Sequence, residues 1–253
     1  MEYFIICPLC FLAGFVDSIA GGGGLISLPA FLFAGLPVHA AIATNKLQAT
    51  MGTAIATLRY ALAGYVVLGS AAIGIFCGLL GSSIGARIAL ATNDSAFRII
   101  MLAILPLVAL YVLRAKDLSK NAEKPLPPSQ ALPLIATIAL VIGIYDGFYG
   151  PGTGTFLMLL LTVWARQSLQ QATGTTKAIN LATNVAALAV FLWKGAALIP
   201  LGLTAGLFSI CGNWLGAHCF TQKGSRIVRP IILTVLALFA VKLVTDILHS
   251  LSG

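Results

Sequence analysis

Four long stretches of the sequence contain no charged side chain. They cover residues 18–45, 60–86, 125–145 and 195–222. Each is longer than the roughly 20 residues that a helix needs to cross a hydrocarbon core about 30 Å thick. Only 9% of all residues are Asp, Glu, Lys or Arg, whereas such residues make up about a quarter of a soluble domain. We therefore predict an all-α polytopic membrane protein.

A set of polar residues and glycines occurs twice in the same order. Gly14, Asp17, Gly21 and Gly23 recur 129 positions later, and Thr44, Lys46, Gly64, Gly81, Gly85 and Arg98 recur 131 positions later. Many secondary transporters consist of two related halves with the substrate site between them. The sequence therefore predicts two pseudosymmetric membrane repeats, residues 1–113 and 131–253, joined by a charged, Pro-containing cytoplasmic linker over residues 114–130.

Hydropathy predicts about eight membrane segments in total. Simple spans are expected at residues 40–62, 66–90, 97–113, 173–192, 197–220 and 227–248. The opening segments of the two repeats, residues 3–34 and 132–161, are each too long for one span and too short for two. Both are interrupted at the centre by glycines. They are therefore predicted to be broken helices, either re-entrant hairpins or full spans.

The two glycine-rich interruptions are candidate substrate-binding elements. Their members are Gly21, Gly22, Gly23 and Gly24 in the first repeat and Gly152, Thr153, Gly154 and Thr155 in the second. Each Gly inside a helix costs about 1 kcal/mol relative to Ala. A helix that restarts after a break directs N–H groups and the positive end of its dipole at the gap, which favours an anion. The alternative is that these small residues only let helices pack closely.

A lysine follows each interruption and is surrounded by hydroxyl and amide side chains. The candidate substrate-binding residues of this second kind are Thr44, Asn45, Lys46 and Gln48, and Thr175, Thr176, Lys177 and Asn180, with Asn184 one helical turn further on. A lysine at membrane depth costs about 2.5–3.5 kcal/mol on insertion scales, so it usually faces a cavity or a partner. The alternative is a lysine that extends to the membrane surface. We also expect Met in place of either lysine to be compatible with folding.

One carboxylate precedes each glycine run, Asp17 in the first repeat and Asp146 in the second. Burial in a low-dielectric site favours the neutral form of a carboxylate, so these residues are candidates for carrying coupling protons. They are equally suited to cap N–H groups that the break leaves free, or to pair with the lysines. The sequence leaves the proton-coupling and structural roles open.

The remaining features favour transport over other functions. The net charge of +8 comes from basic residues in short loops, which is typical of membrane topology and not of nucleic-acid binding. His39, His218 and His249 show no metal-ligand spacing, and no nucleophile–base pair is evident. We expect no cofactor, no metal and no enzymatic activity, and partners limited to a small anion and the lipid bilayer.

Two pairs of motifs resemble the sulfite exporter TauE/SafE family of bacterial membrane permeases. They are GFVDSIAGGGGLISLPAFL with ATNKLQATMGTAIATLRYALAG, and GIYDGFYGPGTGTFL with TKAINLATNVAALAVFLWKG. The resemblance implies a multi-pass protein of the bacterial inner membrane that exports small sulfur-containing anions, such as sulfite or organosulfonates, by alternating access. The alternatives are an uptake permease or channel for another small oxyanion and, from a different class, a membrane redox or assembly factor.

Loop charges favour one topology. If the opening segments are re-entrant, nine basic residues lie on one side (Arg59, Arg114, Lys116, Lys120, Lys124, Arg166, Lys223, Arg226 and Arg229) and four on the other (Arg87, Arg98, Lys194 and Lys242). If the opening segments are full spans, the same residues divide six against seven. By the positive-inside rule the first arrangement is preferred, with both termini outside. Three crossings per half would then make the repeats inverted.

Overall fold

The computed structural model describes residues 2–93, 96 and 125–223. All regular structure in these residues is α-helical. The helices are α1 (Glu2–Ala20), α2 (Gly24–Phe33), α3 (Val38–Leu62), α4 (Leu68–Ala91), α5 (Pro128–Phe148), α6 (Thr153–Val163), α7 (Leu169–Trp193) and α8 (Ile199–Lys223). Of these, α1, α4, α5, α7 and α8 are long and apolar enough to cross a membrane. The prediction of an all-α polytopic membrane protein is confirmed.

The four predicted spans that fall on described residues correspond to α3, α4, α7 and α8, with ends that differ by a few residues. Helix α5 starts at Pro128, so the last three residues of the predicted linker belong to this helix. A proline suits the first turn because its missing N–H is not needed there. The predicted spans 97–113 and 227–248 lie outside the described residues, as does most of the linker.

Both opening segments are broken at the predicted glycines. Helix α1 ends at Ala20 and α2 begins at Gly24, while α5 ends at Phe148 and α6 begins at Thr153. Gly21 and Gly152 adopt φ values of +75° and +85°, which disfavour residues with a Cβ atom. The chain reverses at the first break, because a Cβ atom on Gly23 would lie 2.5 Å from the Ala13 carbonyl oxygen of the preceding helix.

Close helix packing joins elements that are distant in sequence. Helix α4 lies along α5, and α1 lies along α8. The contacts rely on glycine, because a Cβ atom on Gly85 would overlap the Ile144 carbonyl oxygen and one on Gly212 would overlap that of Phe11. Small residues allow helix backbones to approach closely in this way. Helix α4, from the first half of the chain, thus packs on α5 of the second half, and α8, from the second half, packs on α1 of the first.

Contacts between helix ends show which of them lie together at each end of the described bundle. At one end, Tyr60 stacks on Tyr65 with ring centroids 5.9 Å apart, and both rings meet Phe220 edge-on. At the opposite end, the Thr44 hydroxyl accepts a hydrogen bond of 3.0 Å from the Leu198 N–H. His39 contacts the Ala89 carbonyl there, at 3.0 Å. Helices α3 and α7 therefore run in opposite directions to their successors α4 and α8.

The glycine packing gives the first testable prediction. Gly85→Ala should lower the thermal stability of the protein, because its methyl group would meet backbone of α5 that cannot rotate away. Overpacking of this kind costs about 1–3 kcal/mol. Gly69→Ala on the same helix is the matched control, since no atom lies within 4 Å of its Cβ position. Unfolding midpoints in detergent should fall for the first variant only, and equal midpoints would contradict the packing described above.

Candidate functional site

A small cavity lies where the two broken helices meet. Its volume is about 40 Å³, which is enough for roughly three water-sized groups at about 10–15 Å³ each. The polar or glycine residues that line it are Gly14, Asp17, Gly21, Gly23, Gly24, Ser27, Asn45, Lys46, Gln48, Thr53, Asp146, Gly150, Gly154, Asn180, Asn184, Ser209 and Asn213. Both halves of the chain contribute to this set. The cavity is therefore small, partly open and lined by polar side chains and glycines that are distant in sequence.

The two breaks contact each other directly. A Cβ atom on Gly21 would overlap the backbone of Gly154. The Thr155 hydroxyl crosses between the repeats and donates a hydrogen bond of 2.7 Å to the Ala20 carbonyl, the last one of α1. This bond satisfies a carbonyl that the helix end leaves unpaired. Glycine is needed at this point because the two chains approach backbone to backbone.

Lys46 lies in the cavity wall and is 2% exposed. Its Nζ atom lies 2.7 Å from Asp146 Oδ2 and donates a hydrogen bond of 3.0 Å to Asn184 Oδ1. Asn184 in turn donates to Asn180 Oδ1 at 2.6 Å. An ammonium group has three N–H donors. The contacts with described residues use two of them, so one N–H is left for a ligand.

Lys177 is 1% exposed and makes the reciprocal ion pair. Its Nζ atom lies 2.6 Å from Asp17 Oδ2, and the other carboxylate oxygen of Asp17 accepts a hydrogen bond of 3.4 Å from the Gly23 N–H. Each pair joins the lysine of one half of the chain to the carboxylate of the other half. Neither lysine extends to the protein surface, and both carboxylates have the pairing role that the sequence left open beside proton coupling.

Amide and hydroxyl side chains form a second polar group in the cavity wall. Asn45 Oδ1 accepts hydrogen bonds from the Ser27 hydroxyl at 2.6 Å and from Gln48 Nε2 at 2.8 Å. Asn213 donates to the Ser209 carbonyl at 3.0 Å. Within the described part of the chain, the buried Gln48 Oε1 and Asn213 Oδ1 atoms have no hydrogen-bond partner. Unpaired buried acceptors are costly, so these two atoms mark places where a bound molecule or water is favoured.

Several predicted site residues do not line the cavity. They are Gly22, Thr44, Gly152, Thr153, Thr155, Thr175, Thr176 and Lys177. Some of them have structural contacts instead, as Thr44 has with Leu198 and Thr153 with the Gly150 carbonyl at 2.7 Å. The hydroxyls of Thr175 and Thr176 are buried without a hydrogen-bond partner in the described residues. The other predicted residues, including both carboxylates, meet at the cavity.

Sequence reasoning missed four polar residues of the cavity wall, Ser27, Thr53, Ser209 and Asn213. Ser209 and Asn213 lie one helical turn apart on α8, in a stretch with no charged residue. Polar side chains four residues apart in an apolar helix share one face, and that spacing was the available signal. Gly14 and Gly52 leave the space that Asn213 needs, because a Cβ atom on Gly14 would lie 2.8 Å from its Nδ2 atom.

Comparisons with known proteins agree with this architecture. The sulfite exporter TauE/SafE family matches residues 6–243. The probable membrane transporter protein ORF9 of Sinorhizobium sp is 38% identical over 95% of this chain and 92% of its own length. The probable membrane transporter protein YfcA of Escherichia coli K12 is 32% identical over 96% and 93%. A probable membrane transporter protein of Haemophilus influenzae is 33% identical over 93% and 92%.

No solved structure matches the chain significantly. The chain belongs to the sulfite exporter TauE/SafE family, since the match covers nearly all of its length. Together with the five apolar helices, the relatives show that it is a membrane transporter and a multi-pass protein of the bacterial inner membrane.

Because Lys46 pairs with Asp146, we no longer expect Lys46→Met to fold without difficulty. Removing the ammonium leaves the Asp146 carboxylate buried and unpaired, which costs about 3–5 kcal/mol in other proteins. Lys46→Met should therefore lower the free energy of unfolding by about that amount, measured by denaturant titration in detergent micelles. The double variant Lys46→Met/Asp146→Asn should recover most of the loss, because neither charge remains.

Lys194→Met is the control for this comparison, because Lys194 is exposed beyond the end of α7. Its free energy of unfolding should stay close to that of the unmodified protein. If the double variant were as unstable as Lys46→Met alone, the cost would come from lost side-chain packing and not from an unpaired carboxylate.

Proposed function

We propose that the protein is a secondary transporter that exports small sulfur-containing anions, such as sulfite or organosulfonates, by alternating access. The observation that carries this proposal is a buried lysine, Lys46, in the wall of a small, partly open cavity at the meeting point of two broken helices. The description of the family, sulfite exporter, supports the substrate class and direction. The names of the relatives support transport in general.

The cavity suits a compact oxyanion. Lys46 supplies positive charge, and Asn184, Asn45 and Gln48 supply amide groups around it. Charge-assisted hydrogen bonds to an ammonium are roughly twice as strong as neutral ones. The volume of about 40 Å³ suits a sulfur atom with its oxygens, and a longer organosulfonate would require the cavity to widen. Gly24, the first residue of α2, lines the same cavity, and the start of a helix carries the positive end of its dipole.

The helix packing suggests which parts move. We propose that residues 1–113 and 131–253 are pseudosymmetric repeats with corresponding helices α1 to α4 and α5 to α8, whose lengths agree closely. A simple rocking of one repeat against the other would separate α4 from α5 and α1 from α8, which are packed through glycine contacts. The moving bodies are therefore composite: one contains α4 and α5, the other α1 and α8. The ion pairs of Lys46 and Lys177 lie between them and can break and re-form as the bodies rock.

The proposed topology has re-entrant opening segments and a cytoplasmic linker. The described helix ends are compatible with it. Arg59 contacts His218 Nδ1 at 3.0 Å, and both belong to the end of the bundle that carries the basic loops. His39 and Ala89 belong to the opposite end, where the charge count assigns few basic residues. The reversal of the chain between Ala13 and Gly23 supports a hairpin in the first repeat, which the positive-inside rule also favours.

No enzymatic function is proposed. The family to which the chain belongs transports its substrates, and the polar side chains at the cavity are engaged in ion pairs and amide hydrogen bonds. Catalysis by this cavity would need a nucleophile beside a general base, or a group of metal ligands. Among the described residues, no cluster of three metal-ligating side chains occurs.

Anion binding and transport test the proposed function. In proteoliposomes, the protein should move sulfite or a small sulfonate, and purified protein should bind the same anion in calorimetry. Lys46→Met/Asp146→Asn should weaken binding more than tenfold, since a charge-assisted contact contributes about 1.5–3 kcal/mol. Lys194→Met should bind normally. Unchanged affinity in the double variant for every transported anion would contradict the role given to Lys46.

Accessibility of introduced cysteines tests the topology. Each test cysteine is introduced into a variant whose five native cysteines are replaced by Ala. Ser119→Cys places it in the predicted linker, outside the described residues. Lys194→Cys lies in the exposed turn after α7. In intact cells, a membrane-impermeant thiol reagent should label position 194 and spare position 119. Labelling of position 119 but not of position 194 would show that the orientation is the reverse of the proposed one. Labelling of both positions would point to loss of membrane integrity in the assay.

A further inference from the structure

The ionic groups at the cavity are already balanced before any anion arrives. Lys46 and Lys177 contribute two positive charges, and Asp17 and Asp146 contribute two negative charges. All four groups are largely withdrawn from solvent. The site that is proposed to bind an anion is therefore neutral as a unit, and an added anion would leave it with a net negative charge at membrane depth.

An anion that binds the remaining N–H of Lys46 still competes with Asp146 for the positive charge of that ammonium group. Asp146 Oδ2 lies 2.7 Å from Lys46 Nζ, and the Asp146 side chain is only 3% exposed. Among the described residues, that oxygen atom has no recorded polar partner other than Lys46. Displacing the carboxylate in its charged form would leave a buried, unpaired charge, which costs several kcal/mol.

We propose that the transporter binds one proton together with each monovalent anion, and that Asp146 holds this proton. The inference rests on the proposed function. The proton attaches to the carboxylate of Asp146, which becomes a neutral acid and releases Lys46. The anion then takes the place of the carboxylate beside the ammonium group. On release, the anion and the proton leave together and the ion pair re-forms, so that no net charge crosses the membrane with a monovalent anion.

Asp146 is assigned this role and Asp17 is not, because their surroundings differ. Lys46 lines the cavity, whereas Lys177 does not. Asp17 therefore keeps its lysine when an anion enters, and it also accepts the Gly23 N–H. Its side chain is 16% exposed, against 3% for Asp146. The carboxylate that loses its partner on anion binding is the one with least access to water.

The groups around Asp146 leave few competing proton sites among the described residues. Helix α3 contributes Lys46, α7 contributes Lys177 in its pair with Asp17 of α1, and α6 contains no ionisable side chain. The ionisable groups of α4 are Arg87, which is exposed, and Cys77, which packs beside an apolar cluster. On α5 itself, the neighbouring Tyr145 hydroxyl donates to the Pro151 carbonyl at 2.5 Å, and Tyr149 follows one turn later.

Proton movement in proteoliposomes tests this proposal without any variant. The probe is methanesulfonate, which stays ionised near neutral pH, in phosphatidylethanolamine–phosphatidylglycerol vesicles that contain a trapped pH dye. With the membrane potential clamped by potassium and valinomycin, an inward anion gradient should still acidify the lumen, and the flux should be the same as without the clamp. In the coupled range, the binding affinity of the anion should rise about tenfold for each unit of decrease in pH, because one proton binds with it.

Two variants locate the proton. Asp146→Asn places a neutral amide where the protonated acid would be, so anion flux should continue without acidification. The flux should become sensitive to the membrane potential, and anion affinity should lose its pH dependence. Glu2→Gln, which removes an exposed acid at the start of α1, should retain coupling and pH dependence.

The possible results separate the two proposals. Anion flux by the unmodified protein without acidification would overturn the proton proposal and leave the proposed function intact. Continued acidification by Asp146→Asn would exclude Asp146 as the proton site. Failure of the unmodified protein to bind or move any sulfur oxyanion would overturn the proposed function itself. The acidification test uses the unmodified protein, so it can refute the proton proposal even if Asp146→Asn fails to fold.

Discussion

The structure depends on the cost of burying charge. A lysine inside a membrane protein is costly unless it faces a cavity or a partner, and each lysine here is met by a carboxylate from the other half of the chain. This requirement ties distant parts of the chain together: α3 must lie near the end of α5, and α7 near the end of α1. Because desolvation of both charges offsets much of their attraction, each intact pair adds little net stability, whereas loss of one partner leaves a costly buried charge.

The glycines are what allow the carboxylates and lysines to meet. Close contact of α4 with α5 and of α1 with α8 positions the helix ends that carry Asp146 and Asp17. The breaks after those ends then turn the chain away, so that a short helix and not a full span follows each carboxylate. Packing glycines and chain-reversing glycines therefore have separate roles, although both occur in the same apolar segments.

The sequence predicted the helical elements, the two breaks and most of the polar residues at the cavity. Local signals were sufficient for these, because glycine runs and lysines in apolar segments have direct local consequences. The partner of each lysine was not predictable, since Lys46 could as well have paired with Asp17 of its own repeat. That choice depends on how α3 and α5 are placed in space. Ser209 and Asn213 were missed for the same reason: their importance arises from Gly14 and Gly52 facing them.

Charge balance at the site also bears on what drives transport. The inside-negative potential of a bacterial membrane expels a lone anion, at about 2.3 kcal/mol per charge and 100 mV. A carrier that bound the anion without a proton could export it on that force alone. Its loaded site would then hold the charged Asp146 carboxylate and the anion beside the same ammonium group of Lys46. If a proton accompanies the anion, the potential no longer acts on the loaded state. Net movement then follows the combined anion and proton gradients, so export requires that the anion accumulate inside the cell.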